Sequence, residues 1–223
     1  MKRAPQLLIV AVCLAALAAG AYESVRYGVA GTAAANGSRE LDKMSRVKGG
    51  QVAPWWRDDL DRVAVHVPED PFVQEALALV IFRNSNDPSD WEQAQRHLVA
   101  AIDARPGSPY TWANLAVVKY RLGDTGPAFE KVLVNASALG PYEPEVQQIV
   151  SDLGMAMYDE VSPATRAVID RMIASGIKRN APEILQIAAR RGRLAIACPH
   201  LDGVPRPAAS KWTQLCQSME ATP

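Results

Sequence analysis

A proline-bounded phrase occurs three times between residues 68 and 144: Pro68-Glu69-Asp70-Pro71, Pro106-Gly107-Ser108-Pro109 and Gly140-Pro141-Tyr142-Glu143-Pro144. After the last proline of each phrase comes an apolar-then-small pair, at Leu77-Ala78, Leu115-Ala116 and Val150-Ser151. A large apolar or aromatic residue follows one turn later, at Phe82, Tyr120 and Met155. The successive starts are 38 and 35 residues apart. Repetition with a period of roughly 34 to 47 residues is typical of stacked helix pairs.

The first full repeat has clear helix start signals. Asp70 is suited to cap a helix whose first residue is Pro71. A second helix is expected to start at Ser89-Asp90-Trp91-Glu92, which has the pattern of a capping box, and to stop at Pro106. Upstream, the pattern from Pro54 to Val65 predicts a lone second helix of a preceding pair.

Small residues at fixed places identify the type of repeat. Ala94, Leu98, Ala101 and Pro106 in the first repeat, and Trp112, Leu115, Ala116, Gly123 and Ala128 in the second, stand at signature positions. Over about residues 54–176 the chain resembles the tetratricopeptide repeat. The resemblance implies an all-α fold of stacked antiparallel helix pairs, a short α-solenoid. In such packing small side chains let helices approach closely, so we expect Trp112 and Ala116 to be buried and Gly123 to form a tight left-handed turn.

The third repeat is degenerate and suits a terminal capping unit. Its first helix is predicted from Pro144 to Tyr158. Ser162 and Pro163 cap and start a second helix that reaches residues 175–176. A further short helix is predicted from Pro182 to Arg191 and is broken by Gly192. The repeat domain is therefore placed at residues 54–200.

The N-terminus is a targeting segment. Lys2-Arg3 precede an uncharged run from Ala4 to Tyr22, which is the pattern of an export signal. Ala19-Gly20-Ala21 fits signal peptidase, whereas a helical pattern that continues past Tyr22 fits a retained anchor. Residues 1–22 are thus a signal peptide or a signal anchor, and the choice stays open. Residues 23–53, rich in small residues, are predicted to be a linker with a helical turn or two.

Composition and motifs bound the function. The 24 basic residues balance the 24 acidic residues, which argues against a nucleic-acid partner. The three His residues, at positions 66, 97 and 200, belong to no hydrolase, metalloenzyme or haem motif, and no phosphate-binding glycine loop is present. We therefore expect no enzyme activity, no cofactor and no metal. A helical, glycan-active enzyme is the alternative from another functional class.

Cys198 and Cys216 are the two cysteines beyond the targeting segment. A metal site with His200 lacks a fourth ligand, so in an exported chain we favour a disulfide that ties down the tail at residues 201–223. The basic run Arg190-Arg191-Gly192-Arg193 suits an anionic glycan or lipid headgroup. The run also suits the end of a helix, where cations complement the helix dipole, and we favour that interpretation.

The concave surface of the predicted solenoid is the candidate partner-binding groove, because the first helix of each pair lines it. Arg83 and Arg121 hold the same repeat position, and with neighbouring tyrosines they suit a carboxylate or an acidic segment of a protein. The predicted groove residues are Glu75, Arg83, Tyr110, Asn114, Val117, Tyr120, Arg121, Gln148 and Asp152.

A narrower resemblance concerns residues 105–116 followed by residues 140–144. With the N-terminal anchor, this phrase is similar to small membrane-anchored proteins of bacterial exopolysaccharide biosynthesis. That likeness implies an adaptor in a polysaccharide synthesis and export complex, without catalytic residues. It would lie in the periplasm, tethered to the inner membrane through residues 4–22 if these are uncleaved. An assembly factor for a secretion system, pilus or outer-membrane protein is the alternative.

Overall fold

The structure, a computed structural model, describes residues 3–45, 54–201, 212 and 214–216. Helices and turns make up these ranges, and they contain no strand. This confirms the prediction of an all-α fold. The helices are α1 (Arg3–Ser45), α2 (Pro54–His66), α3 (Pro71–Asn84), α4 (Pro88–Ala104), α5 (Pro109–Arg121), α6 (Pro127–Leu139), α7 (Pro144–Ala156), α8 (Pro163–Arg190), α9 (Leu194–Ala197) and a 3₁₀ turn at Cys198–Leu201.

Adjacent helices pack as pairs in chain order. The pairs are α3 with α4, α5 with α6, and α7 with α8. Short turns join the members of each pair, so they run antiparallel. The first helices also contact one another, α5 lying against both α3 and α7. The result is a short solenoid, as predicted.

Proline occupies the first turn of each helix from α3 to α8. Asp70 caps α3 as expected, accepting bonds from the amides of Phe72 at 2.9 Å and Val73 at 3.1 Å. The expected capping box at residues 89–92 is wrong. Helix α4 begins two residues earlier, with Asp87 and not Ser89 as its cap and Pro88 as its first residue, and the carboxylate of Asp87 accepts the amide of Ser89 at 2.9 Å. Proline at the first position needs no amide partner, which makes this earlier start favourable.

Four helix starts share a side-chain bond. At each, the residue three places after the proline donates to the backbone carbonyl three places before it. The bonds are Gln74 Nε2 to Pro68 O at 2.7 Å, Trp91 Nε1 to Ser85 O at 3.0 Å, Trp112 Nε1 to Pro106 O at 2.8 Å and Gln147 Nε2 to Pro141 O at 2.8 Å. Each bond satisfies a carbonyl in the turn and holds that turn against the helix it precedes.

Replacing Gln147 by Leu should lower the free energy of unfolding by about 1–3 kcal/mol, because it removes the amide donor from the carbonyl of Pro141 and leaves that carbonyl with only the longer bond from Ser175 Oγ at 3.3 Å. The Gln147 amide also donates to Ser175 Oγ at 2.8 Å, so the variant loses a second bond. Urea denaturation monitored by circular dichroism measures the effect. The half-buried neighbour Gln148 is the control, since Gln148→Leu should change stability by no more than about 0.5 kcal/mol. Equal stabilities for the two variants would contradict this role of the turn bond.

The main core is built on small residues at helix contacts. Ala94, Leu98, Ala101 and Ala116 are buried, as predicted, and Phe129 is a large side chain fully enclosed among them. Gly123 adopts φ +73°, which is the expected left-handed turn.

Trp112 departs from the prediction of burial. Its ring is only half-buried, because its Nε1 donates to the turn carbonyl of Pro106. The indole therefore covers the turn before α5 instead of entering the core.

Helix α8 consists of two arms that meet at Asn180, where φ is −148° and ψ is 74°. A Cβ at Gly176 would lie 2.9 Å from Cγ1 of Ile184. In a straight helix residues eight apart are separated by about 12 Å, so the arms fold back on each other. The second arm, residues 181–190, ends before Gly192 at φ +66°. This confirms a separate short helix here, although the first arm extends a few residues beyond the predicted 175–176.

Helix α1 differs from the prediction for residues 23–53. It continues to Ser45, so up to that residue the chain is helical where a linker was expected; residues 46–53 lie outside the described residues. Ala30 is fully buried in a second core cluster with Leu60 and Val67 of the α2 region. This tertiary contact stabilises a helix that its glycine-containing sequence favours only weakly.

The apolar part of α1 and the tail indicate the compartment. Leu8–Thr32 is long and apolar enough to cross a membrane, and a signal sequence near the N-terminus has the same features. At the other end a disulfide joins Cys198 to Cys216, with the Cα atoms 5.7 Å apart, as predicted. Trp212, between them in sequence, packs half-buried against the main core. An apolar N-terminal helix and a disulfide together suggest an exported or envelope protein.

Candidate functional site

Helices α3, α5 and α7 lie side by side, and next to them is the second arm of α8. A cleft of about 270 Å³ lies where the last three meet. Five of the nine predicted groove residues line this cleft together: Val117, Tyr120, Arg121, Gln148 and Asp152. Val117, Tyr120 and Arg121 lie in the C-terminal half of α5 and Asp152 in that of α7, and Gln148 lies one turn before Asp152. Whether they bind a partner stays a prediction.

Arg191 is the cation of the cleft that is held in a salt bridge. Its Nε donates to Asp152 Oδ1 at 2.9 Å and its Nη2 to Asp152 Oδ2 at 2.7 Å. The guanidinium also lies 5.8 Å from the centre of the Tyr120 ring. The bonds to Asp152 raise the pKa of Arg191. Because both partners are held in a two-bond pair, they give the cleft a rigid wall.

Arg121 is held in a different way. Its guanidinium carbon lies 5.9 Å from the ring centre of Phe82 and 5.8 Å from that of Trp91, the aromatic pair of the preceding repeat. These cation–π contacts hold the guanidinium beside the two rings and leave its N–H groups available for hydrogen bonds. The side chain of Arg121 is exposed at the mouth of the cleft. This is the geometry of a residue that can take a carboxylate in a bidentate manner.

The charges of the cleft favour an anion. Arg121, Arg190 and Arg191 face two carboxylates, Asp152 and Glu183. Since Asp152 is already paired with Arg191, the remaining balance is two cations against one carboxylate. Apolar surface from Val117, Ile149 and Ile187 lies beside these charges, and such surface strengthens hydrogen bonds to a bound anion by excluding water.

Glu75 is predicted to face solvent, but its side chain is largely buried. Only 15% of its side chain is exposed, and its Oε2 pairs with Arg105 Nη2 at 2.8 Å. Burial raises the pKa of Glu75, although Arg105 and hydrogen bonds from Thr111 and Asn114 act in the opposite direction. The carboxylate therefore joins α3 to the α4–α5 turn and to α5. Sequence reasoning missed this, because its partner Arg105 lies 30 residues away.

The other predicted residues lie outside the cleft. Tyr110 is exposed at the start of α5, and its hydroxyl donates to Glu143 at 2.5 Å, which raises the pKa of Tyr110 to about 12. Asn114 is half-buried one turn further along the same helix, and Arg83 is exposed near the end of α3. The structure thus divides the predicted groove into a carboxylate-rich end and an arginine-rich end.

From the sequence, two cleft residues, Arg190 and Arg191, are interpreted only as cations that complement the dipole at the end of a helix. A signal for them existed in the sequence. Pro182 follows Pro144 by 38 residues, the same interval as between Pro71 and Pro109. Gly192 repeats the left-handed turn of Gly123, and counted back from that glycine Arg190 stands at the position of Arg121, although the helix between proline and glycine is four residues shorter. The second arm of α8 thus resembles the first helix of a further repeat that is one turn shorter.

Comparison with known proteins adds no relative: no family model, curated protein or solved structure matches this chain.

Proposed function

We propose that this protein is a helical-repeat adaptor of the cell envelope, and that its cleft holds an acidic segment or a terminal carboxylate of a partner protein. One observation carries this proposal. Arg121 of α5 and Arg190 of the second arm of α8 line the same cleft as the fixed Arg191–Asp152 pair. A carboxylate placed between them would accept charge-assisted hydrogen bonds from more than one guanidinium.

The proposed location is the periplasm, with α1 as a tether to the inner membrane. The apolar stretch Leu8–Thr32 and the Cys198–Cys216 disulfide support it. The proposed process is the assembly of a polysaccharide synthesis and export complex, on the likeness carried by residues 105–116 and 140–144. A strain lacking the gene should lose exported polymer, and an unchanged yield would overturn that process.

Binding of a labelled acidic peptide tests the adaptor role. The probes are an Asp- and Glu-rich peptide with a free C-terminal carboxylate and the matching Asn/Gln peptide with an amidated end, followed by fluorescence anisotropy with the full chain in detergent. Charge-assisted hydrogen bonds contribute about 1.5–3 kcal/mol. Arg121→Gln and Arg190→Gln should therefore each raise the Kd of the acidic peptide by roughly 10- to 150-fold.

The control variant is Arg171→Gln, which removes an exposed cation on the first arm of α8, outside the cleft. It should leave the Kd unchanged. Equal binding of the acidic and amidated peptides, or equal effects of all three variants, would refute a specific carboxylate site and leave only general charge attraction.

A further inference from the structure

Exposed apolar side chains gather along one edge of the solenoid. In the described residues beyond α1, seven large apolar or aromatic side chains are exposed. Two of them, Val99 and Leu215, lie elsewhere. The other five lie at the ends of α2 and α6, at the starts of α3 and α5, and just before α7: Val65 (77% exposed), Phe72 (52%), Tyr110 (38%), Leu139 (44%) and Tyr142 (70%). We name these five residues the proximal edge.

The packing places these residues on one side of the molecule. Because helices within and between pairs alternate in direction, the ends of α2, α4 and α6 meet the starts of α3, α5 and α7. Side-chain contacts join the successive turns. Arg105, after α4, stacks 4.1 Å from the Phe72 ring centre, and the Tyr110 hydroxyl donates to Glu143 in the turn before α7.

Helix α1 reaches the same edge. Arg26 Nη2 pairs with Glu69 Oε1 at 2.7 Å, and the Tyr27 hydroxyl donates to the same oxygen at 2.8 Å. Arg26 Nε also donates to the carbonyl of His66. Ala30, one turn later, is fully buried against the α2–α3 region. The described residues before Arg26, from Leu8 to Val25, are all exposed, so the apolar part of α1 projects outward from the proximal edge.

We propose that the proximal edge lies in the headgroup layer of the bilayer that α1 crosses, with its apolar side chains inserted at the interface. This inference rests on the proposed envelope location with α1 retained. The edge is continuous with the apolar helix, which points to the bilayer as the occupant. The turn between α2 and α3 binds Arg26 and Tyr27, so it must lie where α1 leaves the hydrocarbon. Tyrosine and aliphatic side chains suit that depth.

The charges at this edge specify the kind of contact. Arg26 and Arg105 are paired with Glu69 and Glu75, Glu143 and Glu145 add negative charge, and Lys178, which lines a groove with Tyr142, adds an exposed positive charge. Because charges of both signs are present and largely balance, anionic headgroups add little net attraction. The contact therefore depends on apolar insertion, and it should be strongest with zwitterionic lipid and insensitive to salt.

The arrangement gives the cleft a defined position. Tyr120 and Arg121 lie at the opposite end of α5, which has 13 residues and so is about 20 Å long. A solenoid seated on its proximal edge therefore holds the arginine-rich end of the groove away from the membrane, open to a soluble partner.

Lipid-depth quenching in the full chain tests the proposal. In a Cys13→Ser background, a fluorescent label is placed at Val65→Cys, Phe72→Cys or Tyr142→Cys, and the protein is reconstituted in phosphatidylcholine nanodiscs with or without bromine on the upper acyl chain. The controls are Ala128→Cys and Glu160→Cys, exposed sites at the opposite edge. We expect brominated lipid to remove most of the emission from the three proximal labels and none from the controls. High salt should leave this quenching unchanged.

Emission from the proximal labels that matches the controls would overturn the proposal. The proposal would also be overturned if emission from the proximal labels changed with protein concentration and not with brominated lipid, because that outcome identifies a second copy as the occupant. A mass showing that residues 1–21 have been removed would also overturn it. Acidic-peptide binding in the same nanodiscs is an independent readout, so failure of the membrane contact and failure of the adaptor proposal can be told apart.

Discussion

Ala116→Trp should destabilise the repeat domain more than any other single substitution on α5. Ala116 has no exposed surface and lies inside the main core. Inserting extra atoms into a packed core costs about 1–3 kcal/mol and occasionally more. A complete indole belongs at the upper end of that range, because no neighbouring space can receive it. Against a total stability of about 5–15 kcal/mol, such a loss is a large fraction.

Urea denaturation followed by far-UV circular dichroism checks this expectation. The matched control is Ala167→Trp, at an exposed alanine on α8, where the same ring should leave the midpoint nearly unchanged. A midpoint for Ala116→Trp equal to that of the control would show that α5 does not pack as described.

Loss of the Cys198–Cys216 disulfide should release the C-terminal end of the solenoid. The two cysteines are 18 residues apart. For a loop of this size the chain-entropy model gives roughly 3 kcal/mol of stabilisation. The segment between them has few apolar anchors, chiefly Trp212 and Leu201, so Cys216→Ser should free it from the preceding helices.

Hydrogen exchange measured by mass spectrometry locates the effect. Exchange should accelerate in residues 194–201 of Cys216→Ser and stay slow in α5. The control is Cys13→Ser, which removes an exposed, unbonded thiol and should alter neither region. Unchanged exchange in residues 194–201 would mean that packing alone holds the tail.

Local signals were sufficient for most helix starts. Asp70, Ser162 and the prolines that follow them act within one turn, so the energetics that place these helix ends are contained in adjacent residues. The error at residues 89–92 had the same local origin, since two overlapping caps competed and the one before Pro88 won. The small residues Ala94 and Ala116 likewise indicated close helix contacts by their positions in the repeat.

The groove was predictable only in part. The 3.6-residue period puts Val117, Tyr120 and Arg121 on one surface of α5, and Gln148 and Asp152 on one surface of α7. No period reveals that Glu75 turns inward to Arg105, or that Arg191 closes the cleft through Asp152, 39 residues away.

By itself, the sequence determined the helical repeat, most of the helix starts, the left-handed turn at Gly123 and the pairing of the two cysteines beyond α1. Each of these depends on neighbouring residues or, for the disulfide, on a choice among very few partners. Only the tertiary structure decided which arginines share a cleft, which carboxylates are consumed in pairs, and that α1 continues into the body through Arg26 and Ala30. Those outcomes depend on contacts between distant segments, whose energies exist only after the helices have packed.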